Sequence, residues 1–219
     1  GLFTVMARTD PEARGADAIS AFLVPAGLPG LSVGKKDRKM GQRGTTTGDV
    51  VFDNVRVPPS AIIGGVPGRG FRLAMRVLDR GRVHIGAFAT GACRRLIKEM
   101  IAYAKERKQF GKPIAEFQLI QAMIADSHTE YLAAKALVEE AARIYDRTRA
   151  ARGGASAAKL FATEAVGRIA DRAVQVHGGA GYMSEYAVER FYRDVRLFRI
   201  YEGTTQVQQL LIARQLLKA

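Results

Sequence analysis

The chain has 219 residues, one cysteine, and 34 lysines and arginines against 21 aspartates and glutamates, for a net charge of +13. That length suits one large domain or two small ones; the lone Cys93 excludes an internal disulfide and suits a reducing cytoplasm; no apolar run nears the ~20 residues of a membrane span. The basic residues are scattered and broken by acids, as in Lys105-Glu106-Arg107-Lys108, and no aromatics are interleaved for base stacking. The excess therefore points to a small polyanionic ligand, or to charge offset outside this sequence, rather than to nucleic acid.

Residues 2–7, 18–24 and 49–57 are short runs rich in Val, Ile, Phe and Thr, bounded by Gly, Pro and Asp, and are predicted strands. Gly27, Pro29, Gly30 and Pro58-Pro59 punctuate turns, and the basic, glycine-rich stretch 34–48 is a predicted long loop or irregular edge. So few strands do not make an independent sheet. The β portion is expected to be the later part of a domain cut from a longer protein.

The pattern changes near residues 64–70. From Phe71 to Arg107, apolar residues recur at three- and four-residue steps. That predicts a helix roughly 55 Å long, ended by Gly111 and Pro113. Further helices are predicted over about 116–149, 155–176 and 204–217, with a shorter piece over 185–191. Long helices with short Gly/Pro connections make antiparallel neighbours. The expected fold is mainly α: a C-terminal four-helix bundle over 65–219, preceded over 1–64 by part of an antiparallel β-domain.

Within Arg199-Ile200-Tyr201-Glu202-Gly203-Thr204-Thr205-Gln206, one carboxylate lies beside apolar residues, a glycine and two hydroxyls at a helix start. Desolvation would suit Glu202 to general-base chemistry, Gly203 would admit a ligand close to the backbone, and Thr204 or Thr205 can cap the helix. The same glutamate also suits an ordinary first-turn acid. Arg107 can form a forked contact to phosphate with Phe110 offering a ring face, and Gln118 lies across the same connection; a basic helix end fits equally. Gln175-Val176-His177-Gly178-Gly179 follows a helix rather than a strand, which excludes a dinucleotide fold and leaves a backbone approach to a ligand or a tight helix stop. Asp79-Arg80-Gly81-Arg82 brings an acid and a base onto one helix face, as an ion pair or a ligand contact. His84, His128 and His177 share no metal-ligand spacing, and no metal site is expected.

Taken in order, these pieces carry a resemblance. Lys39-Met40-Gly41-Gln42-Arg43-Gly44-Thr45-Thr46-Thr47 and Val51-Phe52-Asp53-Asn54-Val55-Arg56-Val57-Pro58, then residues 106–111, 175–179, Tyr192-Arg193-Asp194 and residues 200–206, resemble the middle and C-terminal domains of the acyl-CoA dehydrogenases across essentially the whole chain. The resemblance implies a flavoenzyme whose N-terminal helical domain lies outside this sequence. It implies FAD as cofactor, an acyl-CoA substrate and Glu202 as the base that removes the α-proton to yield a trans-2-enoyl-CoA. Gly203 would touch substrate; Asp79, Arg80, Gly81 and Arg82 would lie near it, with Arg82 helping to hold the CoA moiety. Some relatives carry the base at the position matching Gly81, where this chain has no side chain. Thr204, Thr205 and Gln206 would contact the flavin, while Arg107, Phe110, Gln118, Gln175, Val176, His177, Gly178 and Gly179 would reach the FAD of a neighbouring subunit. Further implications are a homo-oligomer built as a dimer of dimers, an electron-transferring flavoprotein as acceptor, no nucleic-acid or membrane partner, a role in fatty-acid β-oxidation, and a bacterial cytoplasmic or mitochondrial-matrix setting. An oxidase-like relative, a catalytically silent oligomerisation fragment and a basic binding module stay open beside this reading.

Overall fold

The computed structural model describes residues 1–148 and 154–218. The chain divides into two compact units: residues 1–39 with 43–78, and residues 40–42 with the described residues from 79 onward.

In the first unit, β1 (Leu2–Arg8) pairs antiparallel with β2 (Ile19–Pro25), from Leu2 opposite Pro25 to Arg8 opposite Ile19. Phe3, Val5 and Ala7 are half-buried while their neighbours face water, the period of two that a one-sided sheet requires. Fully buried Ser20 ties the ladder to the helix start: its Oγ accepts from Gly68 N at 2.9 Å and lies 2.6 Å from Thr9 Oγ1. β3 (Leu31–Val33) pairs with β4 (Val50–Phe52). The predicted strand over 49–57 thus stops at Phe52, because Asn54 adopts a left-handed φ of 49° that breaks the pleat. β3 escapes prediction because three residues between Gly30 and Gly34 show no period. Residues 34–48 hold no strand, as expected.

The helices are α1 (Gly70–Glu106), α2 (Gln118–Thr148), α3 (Gly154–His177), α4 (Ala187–Val195) and α5 (Thr205–Leu216). Predicted ends fall within a few residues of these, and the predicted α2 end at Arg149 lies outside the described residues. The division between the units falls within α1. One local feature was not predicted: after α1, a small hairpin of β5 (Lys108–Gln109) and β6 (Lys112–Pro113) follows. Its tip, Phe110-Gly111, has φ of 51° and 81°. Two successive left-handed residues form the mirror-image turn that matches strand twist.

Helix α3 packs against α2, α4 and α5. Its alanines 155, 158, 162, 165, 170 and 173 are essentially inaccessible, and these small side chains let the neighbouring helices approach closely. Around them sit Ala89, Cys93, Leu96 and Met100 of α1, Ala134, Val138 and Ala141 of α2, and Val188 and Val195 of α4. Burial pushes the Cys93 thiol up to about 12, with Glu130 adding to the rise, so it stays protonated and behaves as a small hydrophobe. α1 and α3 run parallel: Gly86 in the middle of α1 lies beside the Ala158 carbonyl near the start of α3, and the Tyr103 ring stacks on His177 at 4.2 Å near the ends of both.

Candidate active site

The second unit holds two separated groups of candidate residues. The first surrounds the loop between a 3-10 turn (Arg196–Arg199) and α5. Ile200 N and Tyr201 N both donate to Leu197 O, at 2.8 and 3.2 Å, which closes the turn. The backbone then reverses through Glu202 and Gly203, with φ of 55° and 88°. For glutamate this conformation costs about 1–2 kcal/mol. Thr204 caps α5 as expected, its Oγ1 accepting from Val207 N at 3.3 Å. Thr205 turns instead to Glu164, donating to Oε1 at 2.7 Å.

Two side chains that sequence reasoning missed hold the reversal from behind. Lys159 of α3 donates from Nζ to Gly203 O at 2.7 Å. Gln208 of α5 donates from Nε2 to Gly203 O at 3.1 Å and to Glu202 O at 3.2 Å. Both residues are 0% exposed. The available signal was a single lysine inside the run Ala155-Ser156-Ala157-Ala158-Lys159, a charge on a helix otherwise packed by alanines.

The Glu202 carboxylate lies against Gly81 of α1, where any Cβ would overlap Oε2. Among the described residues Oε2 is buried without a hydrogen-bond partner. Gly203 has no room for a side chain either, since a Cβ there would meet Gln208 Nε2. Flanking Gly81 on α1, Arg82 Nη1 pairs with Asp79 Oδ1 at 2.5 Å, while buried Arg82 Nε has no partner among the described residues. Arg80 faces solvent. Two quoted motifs meet beside Tyr201: Gln42 N donates to Asp194 Oδ1 at 2.5 Å, and Arg193 Nη1 to Met40 O at 2.9 Å. Burial raises the Tyr201 hydroxyl pKa against a hydrogen bond with Gln42.

The second group sits at the other end of the bundle. Phe110 at the hairpin tip is 91% exposed and meets Phe117 edge-on at 6.0 Å, and Arg107 and Gln118 are exposed. Gln175, Gly178 and Gly179 also face solvent. The side chains of Val176 and His177 are buried, so only their backbone can serve a ligand. His177 Nδ1 donates to Ala173 O at 2.7 Å, and burial lowers its pKa. Gly81 and Arg107 lie roughly 35–40 Å apart along α1. Within one chain the candidate residues therefore do not form one site. No three His, Cys, Asp or Glu side chains among the described residues gather as metal ligands, and no described helix is long and apolar enough to cross a membrane.

Lys159 gives a pH prediction. Burial pulls its pKa from 10.5 down to about 8, against the opposing pull of Glu164 and Glu202. Between those values the unfolded chain binds more protons than the folded one, so this group's share of stability rises with pH across the window. Urea titrations at pH 7 and pH 10 should show Lys159→Met gaining stability relative to the parent at pH 7 and losing that advantage at pH 10. An identical difference at both values would contradict the shift. Tyr201, being raised, acts in the opposite direction and only above pH 10, and it is common to both proteins.

A family model described as the acyl-CoA dehydrogenase C-terminal domain matches residues 68–217, and one described as the middle domain matches residues 1–55. The chain is 48% identical over 214 residues to the caffeyl-CoA reductase-Etf complex subunit CarC of Acetobacterium woodii, covering 98% of this chain and 56% of that protein. It is 45% identical to the cyclohexane-1-carbonyl-CoA dehydrogenase of Geobacter metallireducens, covering 99% of this chain and 56% of that protein. The butyryl-CoA dehydrogenase structure from Megasphaera elsdenii superposes with a TM-score of 0.94 at 38% identity, covering 99% of this chain and 56% of that one. The chain thus spans about half the length of the relatives it matches, and it belongs to the acyl-CoA dehydrogenase family.

Proposed function

We propose that the protein carrying this chain is an FAD-dependent acyl-CoA dehydrogenase in which Glu202 removes the α-proton of an acyl-CoA thioester. One observation carries this reading: a carboxylate held on a strained reversal, with one oxygen buried against a glycine and unpartnered among the described residues. A buried charged acceptor without a donor is costly in a fold alone, and it suits a group whose partner arrives with a ligand. The same orphaned oxygen fits a thioester and flavin arriving beside it.

An α-proton beside a thioester is only weakly acidic, so the base needs a dry setting and the carbonyl must be polarised as enolate character develops. Glu202 supplies the proton acceptor, and we assign its backbone N–H to the thioester carbonyl. We assign Arg82, anchored by Asp79, to the CoA moiety. A bound FAD would supply the hydride acceptor for the β-carbon. Thr204 and Gln206 would hold the flavin, with Thr205 fixing their loop through Glu164. Arg107, Phe110, Gln118 and residues 175–179 lie too far from Glu202 to serve the same ligand. Their position fits service to the FAD of a neighbouring subunit, in a dimer of dimers. We place the boundary between the β portion and the bundle at residues 64–65, in the gap between the two family matches. The name of CarC, a subunit of a caffeyl-CoA reductase-Etf complex, supports an electron-transferring flavoprotein as partner. The cytoplasmic setting and a role in fatty-acid oxidation are also proposals.

That same name favours a second direction, reduction of a 2-enoyl-CoA, in which Glu202 returns the proton. Anaerobic addition of saturated acyl-CoA thioesters to the FAD-loaded enzyme should bleach the flavin absorbance, and the 2-enoyl product should reoxidise the reduced enzyme. Absence of bleaching with every thioester, or absence of flavin after reconstitution, would contradict the reading and leave the silent or binding-module alternatives.

A further inference from the structure

We propose that Lys159 and Gln208 form a main-chain clamp whose role is to position Glu202, an inference that rests on Glu202 being the base. Lysine and glutamine are seldom fully buried, and an ammonium taken out of water carries a penalty of several kcal/mol. Lys159 is nevertheless sealed inside the alanine face of α3, with Glu164, Glu202 and Arg82 as the charges acting on it. Gln208 leaves its own Oε1 buried and unpartnered among the described residues, itself a penalty. Both side chains donate to the Gly203 carbonyl, and Gln208 donates to the Glu202 carbonyl as well. Glu202 and Gly203 are the two residues of the reversal whose φ is left-handed.

The arrangement solves a specific problem. A base can be fixed through hydrogen bonds to its carboxylate, but those bonds occupy the lone pairs that must accept the proton. Here the carbonyls of Glu202 and Gly203 are fixed instead, and Oε2 is left without a donor among the described residues. The donors come from two different helices, so the reversal is held from two directions. The clamp also explains why Gly203 is glycine, because Gln208 Nε2 fills the space a side chain would need. Neither Lys159 nor Gln208 is assigned contact with substrate; both act through Glu202.

The test uses the FAD-loaded enzyme and the acyl-CoA that the parent oxidises fastest in a dye-linked assay. Lys159→Met keeps the length of the side chain and removes the donor; Gln208→Met does the same for the second arm. A misplacement of about 1 Å lowers turnover roughly 100-fold. Each variant should therefore lose about that much kcat while KM stays within about threefold and the melting temperature does not fall at pH 7. Because the clamp works through the base, Lys159→Met added to Glu202→Gln should slow the enzyme no further than Glu202→Gln alone. Parental kcat in both single variants, or losses that multiply in the double variant, would overturn the proposal. If Lys159→Met fails to fold, Gln208→Met gives the same reading. Failure of both to fold would also overturn it, by making the pair a support of the bundle. Undiminished turnover in Glu202→Gln alone would instead reject the base assignment, a distinct outcome.

Discussion

Glu202→Gln in the FAD-loaded enzyme is expected to lower acyl-CoA oxidation by about 100- to 10,000-fold, the range associated with loss of a general base. The amide keeps the size and shape of the carboxylate but has no comparable affinity for a proton. Its neighbours should not move. The contacts that fix the reversal run from Lys159 and Gln208 to backbone carbonyls, which the substitution leaves in place. Removing a charged oxygen that is buried without a donor should leave stability unchanged or raise it. The result to look for is a collapse of kcat in dye-linked turnover with an unchanged melting temperature and an unchanged flavin spectrum. A variant that loses its flavin or unfolds would show that Glu202 supports the structure rather than the chemistry.

Gly81→Ala should be nearly as damaging to turnover while sparing the fold. On intrinsic propensity alone, alanine in a helix interior is favoured over glycine by about 1 kcal/mol. Its methyl, however, would overlap Glu202 Oε2, with Cδ only 2.9 Å from the new carbon. The obstructing atoms are the far end of a flexible side chain, so the carboxylate yields and the helix does not. Displacement of the base by about 1 Å is expected to lower kcat roughly 100-fold. Thermal denaturation should show the variant at least as stable as the parent, and steady-state assays should show the loss in kcat. A drop in melting temperature with unaltered kcat would mean the packing at Gly81 differs from that described.

Much of the architecture was legible because helix periodicity survives in single residues. Phe71, Met75, Leu78 and Ile85 announce α1 without further help, and the alanine-rich run at 155–173 announces a helix packed on several sides. Local β structure was harder. Leu31-Ser32-Val33 is too short to show a period, and the hairpin tip at Phe110-Gly111 depends on a phenylalanine accepting a left-handed φ. The region of the site was readable from Glu202, Gly203 and Thr204, since a carboxylate, a glycine and a cap in one turn are a compact signal. Lys159 and Gln208 were not, because their residue types favour the surface. Only the three-dimensional packing shows both fully buried and converging from two helices on one backbone reversal.

The most direct measurement is a crystal structure of the FAD-loaded enzyme with an unreactive thioether analogue of its acyl-CoA. The account predicts a Glu202 oxygen about 3 Å from the ligand carbon that corresponds to the α-position, with Lys159 and Gln208 still bound to the Gly203 carbonyl. A Glu202 side chain turned into bulk water, with another carboxylate nearest that carbon, would contradict it.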